Sequence, residues 1–408
     1  MSDIGIIPVD FEDRFDPKRM IRERLARAKE ALKNSDCDAL FCFRTEDARY
    51  LMGYRHHLGP AFIMGNAVVV LGKNSEPVMW NMDYEQCRAR MPWFDKSQIQ
   101  PRANFRETIG MKRWAEQVEH HFGSLKGKKV GVDIWDLNME KAIKETFPDT
   151  EFVDGYQSVL MRAKEIKTQD EILCLKIANA MTEASLDKAL EFLRPGVREC
   201  EVLAVAWHTM TAMGSEWTQC SNIVASGPYT APYRRFTSDR IIRNGDPVII
   251  DIGASFNGHY GDLTRTWICG NVKPTREMKK VHQNCYNALF NAASVIKPGA
   301  TNAEVFAKAD PYVLDSLGHG AGVNPWEAPA FSPHSKDQPV KLQEGMVFNL
   351  EPYAGDPKIP FGARLENDHI VTKDGVDIYT TYPFDERLVI DVHPLDVSTG
   401  RTRPDYNG

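Results

Sequence analysis

The chain has 408 residues, 42% of them hydrophobic and 10% aromatic, which at roughly 100–200 residues per domain predicts two or three domains with an ample core. Lys+Arg 50 against Asp+Glu 56 gives a net charge of −6, which argues against the basic face of a nucleic-acid binder. No run of about 18 apolar residues is present, which excludes a membrane-spanning helix.

The opening Met1-Ser2-Asp3-Ile4-Gly5-Ile6-Ile7 lacks a basic segment followed by an apolar one, so no signal peptide is expected. From Pro17 to Ser35 the apolar positions Ile21, Leu25, Ala28 and Leu32 predict a helix. Short β-type runs follow at Ala39–Phe43, Ala67–Leu71, Pro77–Trp80 and Lys129–Val132, separated by helical stretches. That alternation predicts an N-terminal α/β domain, residues 1–160, and a second domain at 161–408. Thr168 and Glu171 have capping-box spacing and open a long helix that carries Leu173, Ile177 and Met181 on one face and stops at Pro195-Gly196. The eight cysteines are scattered and none forms a Cys-x-x-Cys pair. The expectation is reduced, mostly buried thiols and a cytoplasmic address. The Pro, Asp and Gly content after Asp391 predicts a loosely packed arm reaching toward a second subunit.

The second half repeats itself. Pro195-Gly196 precedes Glu201-Val202 by the interval that separates Pro298-Gly299 from Glu304-Val305. Gly245-Asp246-Pro247-Val248-Ile249-Ile250-Asp251 is echoed by Gly345-Met346-Val347-Phe348-Asn349-Leu350-Glu351, a turn glycine leading into an apolar strand that ends in a carboxylate. Two copies of a helix–helix–strands unit, related by a pseudo-two-fold axis, are therefore expected. Asp262 follows a turn at Asn257-Gly258 and returns toward Asp251. Glu366, on a returning strand Gly362–Glu366, repeats this with Glu351. Four such carboxylates gathered in a low-dielectric interior would not stay ionised without cations. Two divalent ions match the charge, and a neutral His319 in Gly318-His319-Gly320-Ala321-Gly322 adds a nitrogen ligand that suits Mn, Fe, Co or Zn. An aspartate near a turn, or a histidine in a glycine-rich loop, is singly a commonplace of folded chains. The ordered set of five together with the duplication is not.

These residues resemble the pita-bread metallopeptidases, the superfamily of methionine aminopeptidase, aminopeptidase P, prolidase and creatinase. Asp251, Asp262, His319 in GHGAG, Glu351 before Pro352, and Glu366 match that family's five metal ligands in order and context. The resemblance covers nearly the whole chain. It implies an α+β fold, with a C-terminal pita-bread domain of two pseudo-symmetric halves behind a smaller creatinase-like N-terminal α/β domain. It also implies a homodimer whose N-terminal domain helps shape the partner's active site. Water bridging two dications is acidified to a hydroxide nucleophile, with Glu351 shuttling the proton to the leaving nitrogen. Arg265 and Arg364 flank ligands, either holding them in place or lying as ordinary surface arginines.

The family pattern breaks at two positions. The peptidases carry two further histidines that handle the scissile peptide. Tyr233 and Trp326 stand in their places, the latter just before Glu327-Ala328-Pro329. Both keep a ring and lose a titratable nitrogen, so Tyr233 and Trp326 join Glu351 as candidate catalytic residues. Segments such as Gly214-Ser215-Glu216-Trp217, Thr230-x-Pro232-Tyr233 and Tyr382-Pro383-Phe384-Asp385 are similar to the dimethylsulfoniopropionate lyases of the same superfamily. Those lyases use an aspartate soon after the metal-binding histidine as base, where this chain reads Val323-Asn324-Pro325-Trp326. They carry another two residues after the first ligand, where this chain has Gly253. Trp217, Tyr229, Tyr233 and Trp326 are expected to line the cavity as substrate-binding residues, an aromatic wall suited to a compact methylated cation.

The leading reading is a hydrolase of a small polar C–N substrate, X-Pro dipeptide-like or creatine-like. The alternatives are a lyase acting on a small onium compound such as dimethylsulfoniopropionate, and a pita-bread binding protein without catalysis.

Overall fold

The computed structural model describes residues 15–54, 64–102, 108–218, 222–312, 316–356 and 361–398. The chain's opening and the end of its arm, where two of the sequence expectations fall, lie outside the described residues. Two compact units emerge, Met1–Asp170 and Glu171–Gly408.

The first unit runs α1 (Pro17–Asn34), β1 (Ala39–Arg44), α2 (Thr45–Met52), β2 (Met64–Gly72), β3 (Val78–Asn81), α3 (Tyr84–Arg90), β4 (Ile99–Pro101), α4 (Thr108–Phe122), β5 (Lys129–Val132), α5 (Leu137–Thr146), β6 (Glu151–Asp154) and α6 (Met161–Lys164). Its six strands form one mixed sheet, β4-β3-β2-β1-β5-β6. Alternate residues of β1 point to one face, and Phe41 and Phe43 there meet Trp80, Trp114 and Phe147 in an aromatic core, Phe41 lying 5.2 Å from Trp114. Asp16 caps α1 by accepting from the Arg19 amide, and Pro17 opens it with a preset φ.

The second unit contains α7 (Gln169–Phe192), α8 (Glu199–Ala212), β7 (Ile223–Ser226), β8 (Pro247–Ile252), β9 (Ser255–Phe256), β10 (His259–Tyr260), β11 (Leu263–Ile268), α9 (Arg276–Ala293), α10 (Asn302–Ala309), β12 (Gly318–Gly320), β13 (Glu327–Phe331), β14 (Val347–Leu350), β15 (Tyr353–Asp356), β16 (Phe361–Arg364), β17 (Asn367–Val371) and β18 (Val376–Ile378). Its main sheets are β11-β8-β7 and β13-β12-β14-β17-β18. They meet where the Glu366 amide donates to the Thr264 carbonyl at 3.1 Å and Thr266 Oγ1 donates to the Arg364 carbonyl.

The duplication is written in backbone hydrogen bonds. Gly196 donates to Ile242 and Gly299 to Leu342, both at 2.9 Å and both with φ near 90° (94° and 89°), a conformation that favours glycine. Gly245 donates to Cys269 and Gly345 to Val371, and the two share a φ of 85°. Helices α8 and α10 each carry a glutamate at their third residue, Glu201 or Glu304, accepting from the capping residue's amide.

Three expectations need correction. The long helix does not face its core through Leu173, which is half-buried. Ile177 and Met181 are buried as expected, and the small residues Ala178, Thr182, Ser185 and Ala189 are buried with them. Glu366 is not on the returning strand: β16 ends at Arg364, and Glu366 sits just before β17. The segment after Asp391 is no loose arm as far as residue 398, because His393 stacks on Phe290 of α9 at 5.2 Å and Asp396 accepts from the Tyr286 hydroxyl at 2.7 Å. The rings decide that docking. All seven cysteines among the described residues are free thiols, six of them buried.

Candidate metal centre

Asp251 lies near the end of β8, opposite Thr264 of β11. Between them the chain makes a two-residue hairpin at Asn257-Gly258, whose φ values of 47° and 76° give the primed turn that matches strand twist. The hairpin returns Asp262 beside Asp251. In the second half Leu350 pairs with Asn367, so Glu351 and Glu366 flank one rung of the β14–β17 ladder.

Asp251, Asp262 and Glu366, all buried, present carboxylate oxygens within 4.8 Å of one another. Burial lifts the Asp251 carboxyl to about 6 against the pull of the Arg364 guanidinium. Burial first and the Asp251 charge second push Glu366 up to about 8. Glu366 Oε2 accepts from Thr264 Oγ1 at 2.8 Å, whereas its buried Oε1 has no hydrogen-bond partner among the described residues. An orphaned carboxylate oxygen facing two further carboxylates fits a divalent cation, which would supply the missing partner and the opposing charge.

His319 and Glu351 stand beside this trio. His319 Nε2 is 3.7 Å from Glu351 Oε1 and 3.9 Å from Asp262 Oδ2. Its Nδ1 lies 3.2 Å from the Gly320 carbonyl, which only accepts, so the ring proton sits on Nδ1 and the lone pair on Nε2. Burial holds this imidazole down at about 4, neutral and ready to ligate. Glu351 is gripped by Arg364, which also lies 3.9 Å from Asp251 Oδ2. Neither arginine is a surface residue. Arg265 is 1% exposed and donates to the carbonyls of Glu366 and Tyr382 and, at 3.0 Å, to Asn367 Oδ1, so it fixes the backbone that carries Glu366.

The aromatic wall is not assembled as expected. Tyr233 is buried, but its ring is already covered by the chain: Arg364 lies 4.9 Å from the centroid and Tyr353 stacks on it at 5.4 Å. Its hydroxyl is 3.4 Å from Arg234 Nε. Tyr229 is half-exposed and carries the Arg235 guanidinium at 4.3 Å. The Tyr233 ring therefore has no open face for a substrate cation, and one face of Tyr229 is taken by the chain's own arginine. Trp326 meets His319 edge-on at 6.1 Å and is 56% exposed, so it borders the centre with ring surface to spare. Trp217 is half-exposed, on a segment tied down where Ser215 Oγ donates to its carbonyl.

Sequence reasoning passed over four groups. Thr264 hydrogen-bonds Glu366, Tyr353 backs Tyr233, and Asn349 contacts both His319 and Asp262. Strand alternation could have found Asn349, which is two residues before Glu351 and shares its face. Glu199, buried at the start of α8, organises the loop that bears Tyr233 by accepting from Ser226, Arg235 and Ser238.

Residues 173–373 match the model of metallopeptidase family M24, and residues 24–162 match the creatinase/prolidase N-terminal domain. The chain is 28% identical over 366 residues to a Xaa-Pro dipeptidase of Pyrococcus furiosus, covering 87% of this chain and 97% of that protein. It is 29% identical over 259 residues to the dimethylsulfoniopropionate lyase DddP of Roseovarius nubinhibens, covering 59% of this chain and 57% of that protein. The solved Xaa-Pro dipeptidase of Bacillus anthracis superposes with a TM-score of 0.76 at 27% identity, over 90% of this chain and 99% of that one. No helix among the described residues is long and apolar enough to cross a membrane.

Proposed function

Because the chain belongs to the pita-bread metallopeptidase superfamily and is thereby a metal-dependent hydrolase, we propose that it cleaves the C–N bond of a small polar substrate of the X-Pro dipeptide or creatine type. Asp251, Asp262, His319, Glu351 and Glu366 would hold two divalent ions drawn from Mn, Fe, Co and Zn. The observation that carries the reading is the buried carboxylate trio with its unpartnered Glu366 Oε1. The relatives named for Xaa-Pro dipeptidase activity along nearly their whole length support the substrate class.

Bound divalent ions polarise a substrate carbonyl and bring the pKa of water to near neutrality. The chain's own groups do the rest. Glu351, held by Arg364, accepts the proton from the attacking water and passes it to the leaving nitrogen. Arg364 keeps that carboxylate oriented and sets the Tyr233 ring beneath it. Tyr233 offers a hydroxyl, its proton held up to about 12 by burial, as a hydrogen-bond donor where the peptidases have a histidine. Trp326 borders the His319 side and offers the substrate an aromatic edge, with Trp217 and Tyr229 as the other candidate wall residues. A homodimer in the cytoplasm completes the proposal.

The Mn-loaded protein is expected to hydrolyse X-Pro dipeptides with solvent oxygen-18 entering the new carboxylate. Failure to turn over any X-Pro dipeptide or creatine would sink the reading. A second reading, elimination on a small onium compound, draws on the lyase relative and on Tyr233 and Trp326 replacing histidines. It predicts turnover of dimethylsulfoniopropionate without label. A protein that binds no divalent ion would be the non-catalytic binding module.

A further inference from the structure

The loop that carries Tyr229 and Tyr233 leaves β7 at Ser226 and returns at Ser238, and both of its ends meet one carboxylate. Glu199, the first residue of α8, is fully buried. Its Oε1 accepts from the Ser226 amide at 2.8 Å and the Ser226 hydroxyl at 2.6 Å. Its Oε2 accepts from the Ser238 hydroxyl at 2.9 Å and the Ser238 amide at 3.3 Å. Arg235 Nη2 reaches both oxygens, at 2.6 and 2.5 Å, and supplies the opposing charge that a carboxylate withdrawn from water requires.

The same guanidinium lies 4.3 Å from the Tyr229 centroid, so Glu199 holds that ring through Arg235. Further along, the loop docks at Thr230. The Thr230 carbonyl accepts from the Tyr353 hydroxyl at 2.9 Å, and its Oγ1 accepts from the Gly362 amide at 3.1 Å. Tyr233 then stacks on Tyr353 and lies against Arg364, the cation that grips Glu351. A shift at the base of the loop would thus displace Tyr233 and the arginine that orients the proposed proton carrier. The helix itself does not depend on the carboxylate for its hold on the returning chain. The Glu199 and Cys200 amides donate to the Arg240 and Ser238 carbonyls at 3.1 and 3.0 Å, contacts that any side chain at 199 would keep.

We propose that Glu199 is a positioning residue for the reaction, its charge closing the loop 226–238 at both ends and so fixing Tyr229 and Tyr233 beside the candidate metal centre. It touches no substrate and acts through Arg235 and the two serines. The proposal rests on the hydrolase reading above.

The test compares the Mn-loaded wild type with Glu199→Gln and with Glu199→Gln/Arg235→Met. The single variant keeps the shape and strands the Arg235 charge, and the double variant removes that stranded charge as well. In both, kcat/KM on an X-Pro dipeptide should fall about 10–100-fold, the worth of a hydrogen bond to a charged group. The urea midpoint should fall in the single variant and return toward that of the wild type in the double. That split marks positioning, because in a merely structural role the activity recovers with the midpoint. Trypsin gives a readout that needs no substrate. The bond after Arg234, an exposed residue, should resist cleavage in the wild type and be cut in both variants. Wild-type kcat/KM in either variant would overturn the proposal, as would equal cutting of all three proteins. Should the single variant not fold, the double variant carries both comparisons. A wild type that turns over neither X-Pro dipeptides nor creatine is a failure of the hydrolase reading instead, and the trypsin pattern then decides the hold of Glu199 on the loop.

Discussion

Glu366 is a carboxyl withdrawn from water with one oxygen left without a partner, a state that holds its proton well into the neutral range. Cation uptake must expel that proton. Near pH 7, with Glu366 at about 8 still protonated and Asp251 at about 6 mostly ionised, Mn2+ binding should release roughly one proton. The apparent binding enthalpy should then vary with the ionisation enthalpy of the buffer, and an enthalpy independent of buffer would contradict it. Two other buried groups titrate in the opposite sense. Burial holds His282 at about 4 and His369 at about 3, below the ordinary 6.5. Between those values the unfolded chain takes up protons that the folded chain refuses, so their contribution is whole above about pH 6.5 and is lost as pH falls toward 4. The expected loss for His282 is on the order of 1–3 kcal/mol, and His282→Gln should flatten the stability profile over that interval in urea denaturation. The five candidate ligands could be picked out in the sequence because each sits at a strand end or in a glycine turn. Tyr233 was legible as a position but not as a surface, because the Arg364 and Tyr353 that cover it arrive from the other half of the fold.

At the scale of elements, α7 and the Asn257-Gly258 hairpin place Asp251 and Asp262. Thr182 Oγ1 accepts from the Ala254 amide at 2.9 Å, and a Cβ on Gly261 would come within 2.8 Å of the Ala178 backbone. The helix therefore lies against the residue that precedes Asp262 with no room between them. Gly261→Ala should destabilise the fold by about 1–3 kcal/mol and weaken Mn2+ binding with it, measured by denaturation and calorimetry on the same preparation. Unchanged metal affinity would mean that the hairpin holds its geometry without the helix. The hairpin turn was readable, since Asn-Gly is the strongest short-range sign of a primed turn. The inward face of α7 was readable only in part. Ile177 and Met181 mark it, whereas the Ala178 and Thr182 that meet the hairpin carry little hydrophobic contrast.

For the second unit as a whole, the halves contribute unequally to the candidate centre: Asp251 and Asp262 from the first, His319, Glu351 and Glu366 from the second. Ions that join carboxylates across that line favour the folded state by mass action. Chelation should lower the melting temperature, and re-addition of Mn2+ at about 100 times its Kd should restore about 2.7 kcal/mol. The duplication was visible in the sequence only as faint letter matches. The structure makes it plain because backbone turns, unlike side chains, have few alternatives: Gly196 and Gly299 keep the same φ and the same donor role although their neighbours have diverged.

The stretch joining β11 to α9 is exposed at Asn271, Lys273 and Thr275 and is the chain's crossing from one half to the other. A protease nick there would turn one polypeptide into two pieces whose shared surface includes the candidate metal ligands. Such a clipped protein should migrate as one species on a sizing column in Mn2+ and separate more readily in EDTA, as though the ions were rivets through a lap joint.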